Sequence, residues 1–277
     1  MNLLLRPPRE DEWPVCRMLL PETFGDAAGR EYLLALRAQA PRVVAAASFR
    51  QGADSLRCLR LHVVPSMRRC GVGSRMVEHL ALNGERALEG SVEITREQAA
   101  VVFCERNRFG RVDGLTIVEG DLGEMREHLL ALRARLTPPE GASVTPIREA
   151  PADEVARLHA RYVAHDDEWN PWRTLVAGTA VKEHSLAAMV KGRVAGILLG
   201  ELEGATAVVR SRVVEPSHQG GWVNAMLLAE GLDRAWNAGA RRVRFFYTDS
   251  NRDTQKLAGR FRAEIVSVMA RFLRPAA

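Results

Sequence analysis

Apolar positions along this chain come in short runs that switch between two periods. Residues 2–6 (Asn-Leu-Leu-Leu-Arg) form a run stopped by Pro7-Pro8 and predict a short strand. Residues 9–20 and 28–39 read as two helices, separated by Pro21-Glu-Thr-Phe-Gly25. Residues 42–49 predict a strand. Residues 56–64 predict another, in which Leu59, Leu61 and Val63 share one face and Arg60, His62 and Val64 the other. Pro65 ends that strand, and a glycine-containing turn leads into a helix over 73–83. Val72, Met76 and Leu80 are spaced four apart there, and Asn83-Gly84 supplies a left-handed stop. A strand near 91–94, a helix over 97–107 and a strand over 112–118 follow. An amphipathic helix over 121–136 then runs into Thr137-Pro-Pro-Glu-Gly141, the strongest punctuation in the chain.

Beyond that point the order recurs. A strand at 143–148 precedes a helix at 151–164, and strands follow near 185–190, 193–201 and 205–214. A helix over 222–238 ends at Gly239; residues 242–248 read as a strand, 251–260 as a short helix and 263–273 as the last strand. Val63-Val64-Pro65-Ser66 returns as Val214-Glu215-Pro216-Ser217, so the Pro-Ser pairs stand 151 residues apart (Pro65 to Pro216), each between a strand and a helix. The chain therefore reads as an internal duplication of an α/β (α+β) unit. Domains are expected at 1–120 and 142–277, joined by a helical linker at 121–141, and 277 residues suffice for two cores.

Composition narrows the class. At 47% apolar residues the chain is too hydrophobic to be chiefly disordered. No apolar run reaches the ~18 residues of a membrane span, and the first residues lack the pattern of a signal peptide. A cytoplasmic protein without a membrane partner is expected. Cys16, Cys58, Cys70 and Cys104 form no C-x-x-C pair, so neither a disulfide framework nor a metal site is expected, and Cys16 and Cys58 read as buried thiols. The net charge is +5, but only Lys182, Lys191 and Lys256 among the 39 basic residues are lysines. That arginine excess reflects codon usage more than partner choice. No dense basic tract with interleaved aromatics marks a nucleic-acid surface, whereas a modest positive charge suits an anionic small ligand.

The chemistry concentrates after the first Pro-Ser. Arg68-Arg69-Cys70-Gly71-Val72-Gly73-Ser74 lies between an apolar strand and an amphipathic helix. Such a turn exposes backbone N–H groups at a helix N-terminus, a ready site for a pyrophosphate. Gly71 and Gly73 keep side chains out of its way, and Arg68 or Arg69 adds charge. A strand-to-helix turn needing glycine only for its backbone angles is the alternative. The stretch from Leu61 to Met76 resembles the acyl-CoA-binding motif of the Gcn5-related N-acetyltransferases, R/Q-x-x-G-x-G/A after a strand ending V-x-P or V-V-P. Arg68, Gly71 and Gly73 occupy its three positions. Ala100-Val-Val-Phe103-Cys104-Glu105-Arg106-Asn107-Arg108-Phe109 is similar to the family's A-x-x-F-Y-E-x-x-G-F segment.

The resemblance implies, in each copy, a mixed twisted sheet with helices on both faces, whose central strands splay to admit acetyl-CoA or another acyl-CoA. It implies that the strand backbone at 61–64, with Val63 and Val64, pairs with the pantetheine, and that the amides of Arg69, Cys70, Gly71, Val72, Gly73 and Ser74 hold the pyrophosphate. It further implies direct acetyl transfer to a primary amine of a small molecule or peptide. In that scheme a base or water chain takes the amine's proton and an acid serves the departing thiolate.

Two departures stand out. Cys104 occupies the place of the family's acidic tyrosine, either as a substitute acid or as a packed thiol, and Glu97 stands where the family often has an asparagine. His62 is a candidate proton relay, with a satisfied buried histidine as the alternative, and Glu22 and Asp26 are weaker candidates for the base or for binding the acceptor. Cys70, at a helix N-terminus beside two arginines, is expected to be reactive but not catalytic. In the second copy, Gln219 fits the motif's first position, while Trp222 and Asn224 stand where the glycines should be, so that half reads as degenerate. Its Trp169, Trp172 and Trp222 are candidates for core or interface, and Asp166, Asp167 and Glu168 read as a solvated acidic loop or as carboxylates that could attract an amine. The rival reading is a non-catalytic acyl-CoA-binding or interaction protein, and oligomerisation is left open.

Overall fold

The computed structural model describes residues 2–21, 30–38, 42–52, 55–82, 86–163, 184–218 and 221–276. It divides into two compact units, Met1–Gly114 with Met269–Ala277, and Leu115–Val268.

In the first unit β1 (Leu3–Arg6), β2 (Arg30–Arg37), β3 (Val43–Gln51) and β4 (Ser55–Val63) form an antiparallel run, with α1 (Trp13–Leu19) between β1 and β2. After α2 (Val72–Leu82), β5 (Ala87–Glu93) lies parallel to β4. The last strand of the chain, which we label β12 (Glu264–Arg274), pairs antiparallel with β5 from Met269↔Glu93 to Arg274↔Leu88. One face of the sheet packs on α2 and α3 (Gln98–Arg106) through Leu33, Ala45, Phe49, Val72, Met76 and Phe272. The other packs on α1 through Cys16, Leu20, Tyr32, Leu34 and Ala46.

Residues 28–39 were expected as a helix, but the described part of that segment is β2. The Tyr32–Leu36 run is buried on both faces, Leu33 and Ala35 against one core and Tyr32, Leu34 and Leu36 against the other. A strand enclosed on both sides needs a continuous apolar run, and leucine and alanine write the same run as a buried helix would. Pairing with β1 and β3 overrides their helical propensity.

The second unit repeats the plan. It contains β7 (Ser143–Pro146), α5 (Ala152–Val163), β8 (Leu186–Val190), β9 (Arg193–Glu203) and β10 (Thr206–Val214). A helix that we label α6 (Trp222–Asn237), then β11 (Arg242–Thr248) and α7 (Arg252–Arg260), complete the copy. β6 (Gly110–Asp121), which follows α3, pairs with β11 from Leu115↔Thr248 to Asp121↔Arg242. The segment expected as a linker, 121–141, contains α4 (Leu122–Arg133), started by Asp121, whose carboxylate accepts the Glu124 N–H at 2.8 Å. Leu122, Met125 and Leu129 of α4 are buried in the core shared by α6 and β11. The compact units change over at Gly114/Leu115 and at Val268/Met269, so each packed unit takes a strand from the other half of the chain.

The duplication holds residue by residue. Ala45↔Val63 in β3–β4 recurs as Gly196↔Val214 in β9–β10, Ser48↔Arg60 as Leu199↔Ser211, and Phe49↔Cys58 as Gly200↔Val209. The bulge that skips Leu59 recurs at Arg210, the same 151 residues on. A one-residue slip would turn every side chain to the wrong face, so shared bulges mark a shared register.

Candidate cofactor cleft and active site

β4 and β5 are paired only from Ser55↔Ala87 to Cys58↔Gly90. Beyond that rung β4 continues to Val63 and β5 to Glu93 without pairing to each other, so the two central strands part. The Val64 N–H donates to the Val44 carbonyl at 3.0 Å. Antiparallel alternation then turns the backbone groups of Leu61 and Val63 away from β3, toward the gap. The Val63 carbonyl faces that way, accepting from Arg68 Nε at 3.1 Å. Of the expected pair Val63 and Val64, Val63 offers backbone to the cleft while the Val64 amide is engaged by β3. Leu61, at the start of the expected 61–64 stretch, is the other residue whose backbone faces the gap; the bulge at Leu59, which sets this alternation, was not legible in the sequence.

The turn above the gap has the backbone of an anion loop. Arg69 (φ 60°) and Gly71 (φ 78°) both take the left-handed conformation, and Arg68, Arg69, Cys70 and Gly71 are exposed. The Arg75 N–H closes onto the Gly71 carbonyl at 3.1 Å, leaving the earlier amides of the first turn, Val72 to Ser74, outside the helical ladder. The two glycines serve different ends. A Cβ on Gly71 would meet nothing within 4 Å, so its requirement is conformational. A Cβ on Gly73 would come within 3.0 Å of Phe103 Cε2 and 3.5 Å of Leu61 Cδ2. Gly73 thus lets the turn settle onto α3 and β4, with Val72 buried beneath it.

The catalytic candidates do not converge. His62 stands opposite Ala46, on the sheet face covered by α1. Cys104 is buried in the core on the other face, with Phe109 and Met76. Burial pushes its thiol up to about 11, and pushes the Cys58 thiol, which also senses Cys104, up to about 12. Cys104 is therefore a packed, protonated thiol at neutral pH. Cys70 is exposed, with a free thiol. Glu22, Asp26, Asp166, Asp167, Glu168, Trp169, Trp172 and Gln219 lie outside the described residues. One cluster escaped sequence reading: Arg57 of β4 and Glu89 of β5, nearly buried, form an ion pair at 3.4 Å on the rung below the parting. Ser55 Oγ donates to the same carboxylate at 3.1 Å.

The second unit keeps the parting but not its lining. β10 and β11 pair only from Thr206↔Arg242 to Val209↔Phe245, and the Glu215 N–H donates to the Ala195 carbonyl at 2.9 Å, repeating Val64 and Val44. Where the first copy has Leu61, the second has Arg212. Burial lowers that guanidinium's pKa and Asp253 opposes the shift. Trp222 opens α6, half-buried against the core, with the His218 ring edge-on at 6.2 Å.

No family profile and no curated protein matches the sequence. Solved structures do match over the whole chain. A GCN5-related N-acetyltransferase from Sphaerobacter thermophilus is 16% identical with a TM-score of 0.60, over 99% of this chain and 96% of that one. A tandem GNAT protein from the clavulanic acid biosynthesis pathway is 19% identical with a TM-score of 0.62, over 100% and 99%. A GCN5-related N-acetyltransferase from Anabaena variabilis is 10% identical with a TM-score of 0.66, over 100% and 73%. The chain has the Gcn5-related N-acetyltransferase fold, in tandem: two mixed α/β units with helices on both sheet faces. Among the described residues no helix is long and apolar enough to cross a membrane.

Proposed function

We propose that this protein is an N-acetyltransferase that binds acetyl-CoA in its first unit and passes the acetyl group to a primary amine of a small molecule or peptide. The observation that carries this reading is the parting of β4 and β5 after Cys58↔Gly90 beneath the Gly71–Gly73 turn. Acetyl-CoA would supply an acetyl group activated as a thioester. The amides of the turn and α2's positive end would hold its diphosphate, with Arg68 and Arg69 adding charge. The backbone groups of Leu61 and Val63 would align the pantetheine as an added strand does. Neither His62 nor Cys104 is placed as a dedicated pair, so proton removal from the amine would fall to His62 or to water, and the thiolate would take its proton from solvent.

A second reading keeps the ligand and drops the chemistry. It is favoured by the burial of Cys104 and by its placement on the face away from His62. Calorimetric titration with acetyl-CoA tests both. One site per chain is expected, lost in Gly71→Trp, which copies the second copy's turn. Two sites would return the second unit to service, and no binding would remove both readings. An amine panel with free-thiol detection then separates enzyme from binder, since a binder releases no thiol above the rate without acceptor.

A further inference from the structure

We propose that β12 is a working part of the first unit's cofactor cleft, and that the second half of the chain acts as its strand donor. This rests on the cleft assignment above. β5 is one wall of the cleft, and past Gly90 it has lost β4 as a partner. Its residues Ser91, Val92 and Glu93 are laddered to Arg271, Ala270 and Met269. The parted segment of the wall is thus held by residues from the far end of the chain. The two faces of β12 reinforce this. Ala270 and Phe272 are buried in the core that carries Val72, Met76 and Cys104, directly under the cofactor turn. On the other face the Arg271 guanidinium lies 4.0 Å from the Glu89 carboxylate, which pairs with Arg57. One nearly buried carboxylate therefore links β4, β5 and β12 on the rung just below the one where the cleft opens.

The first half cannot fill this place itself, because residues Leu115–Asp121 of its own last strand, β6, are laddered to β11. A second copy whose turn carries Trp222 and whose cleft carries Arg212 would then be retained for its strand, whatever else it binds. Arg271 acts through Glu89 and is a positioning residue.

The test uses the full-length protein and two substitutions, with acetyl-CoA titration and amide exchange as readouts. Arg271→Glu sets a carboxylate beside Glu89 and is expected to weaken acetyl-CoA binding about tenfold, with faster exchange at Ser91–Glu93. Arg271→Lys keeps the charge and is expected to stay within about twofold of the parent. Wild-type affinity in Arg271→Glu overturns the proposal, and so does equal weakening in Arg271→Lys. Should Arg271→Glu fail to fold, faster exchange at Ser91–Glu93 in Arg271→Ala decides in its place. If the parent protein itself binds no acetyl-CoA, the cofactor reading fails separately. Exchange at Ser91–Glu93 then still judges the strand's role, and unchanged exchange sinks it.

Discussion

Gly71 and Gly73 sit two residues apart in one turn, yet substitution at each fails for a different reason. At Gly71 the φ of 78° costs an L-residue roughly 1–2 kcal/mol while no atom stands in the way. Gly71→Asn, which tolerates that region, is expected to lose less acetyl-CoA affinity than Gly71→Val in the same titration. Cys104 yields to a pH argument. Its folded pKa of about 11, and about 12 for Cys58, stand above the ~8.5 of a free thiol. The folded state therefore binds these protons more tightly. That contribution is complete below about pH 8.5 and is lost as pH rises toward 11–12. Urea midpoints should fall more steeply between pH 8 and pH 10.5 in the parent than in a Cys58→Ala/Cys104→Ala protein, and equal slopes would sink the argument. On the reading that Cys104 packs and the thiolate takes its proton from solvent, Cys104→Ala is expected to change kcat less than about threefold; a hundredfold loss would make it the acid.

Among elements, the two copies differ where helix meets strand. Ala45 of β3 becomes Gly196 of β9, and a Cβ there would come within 2.6 Å of Val223 Cγ1 on α6 and 3.0 Å of the Val213 carbonyl. Gly196→Ala is expected to destabilise by about 1–3 kcal/mol, read as a lower denaturation midpoint, with acetyl-CoA affinity of the folded protein unchanged. A midpoint equal to the parent's would mean that α6 lies farther from β9. Elements of this kind were largely legible in the sequence, because period and punctuation are local. β4, the turn and α2 were readable from Leu61 to Leu80, and their counterparts from the repeated Pro-Ser. β2 was not, since a run buried on both faces carries no period. The bulge at Leu59 was not either. It depends on pairing with β3, and it decides that Leu61 rather than Val64 faces the gap.

Across the whole chain, pairing is what the sequence concealed. Two similar last strands, β6 and β12, each follow the final helix of a copy, and nothing local says which sheet either will join. The structure crosses them: β12 carries six rungs with β5, from Met269↔Glu93 to Arg274↔Leu88, and β6 carries seven with β11, from Leu115↔Thr248 to Asp121↔Arg242. Each ladder joins residues from opposite halves. A protease site placed in the exposed Pro139–Gly141 stretch therefore severs only the covalent link. The nicked halves should co-elute in size-exclusion chromatography and keep acetyl-CoA binding. Their unfolding midpoint should become dependent on protein concentration, as for any complex of separate chains. Two independent domains joined by a tether would instead elute apart after cleavage, with midpoints insensitive to concentration. That result would require β6 and β12 each to return to the sheet of its own copy.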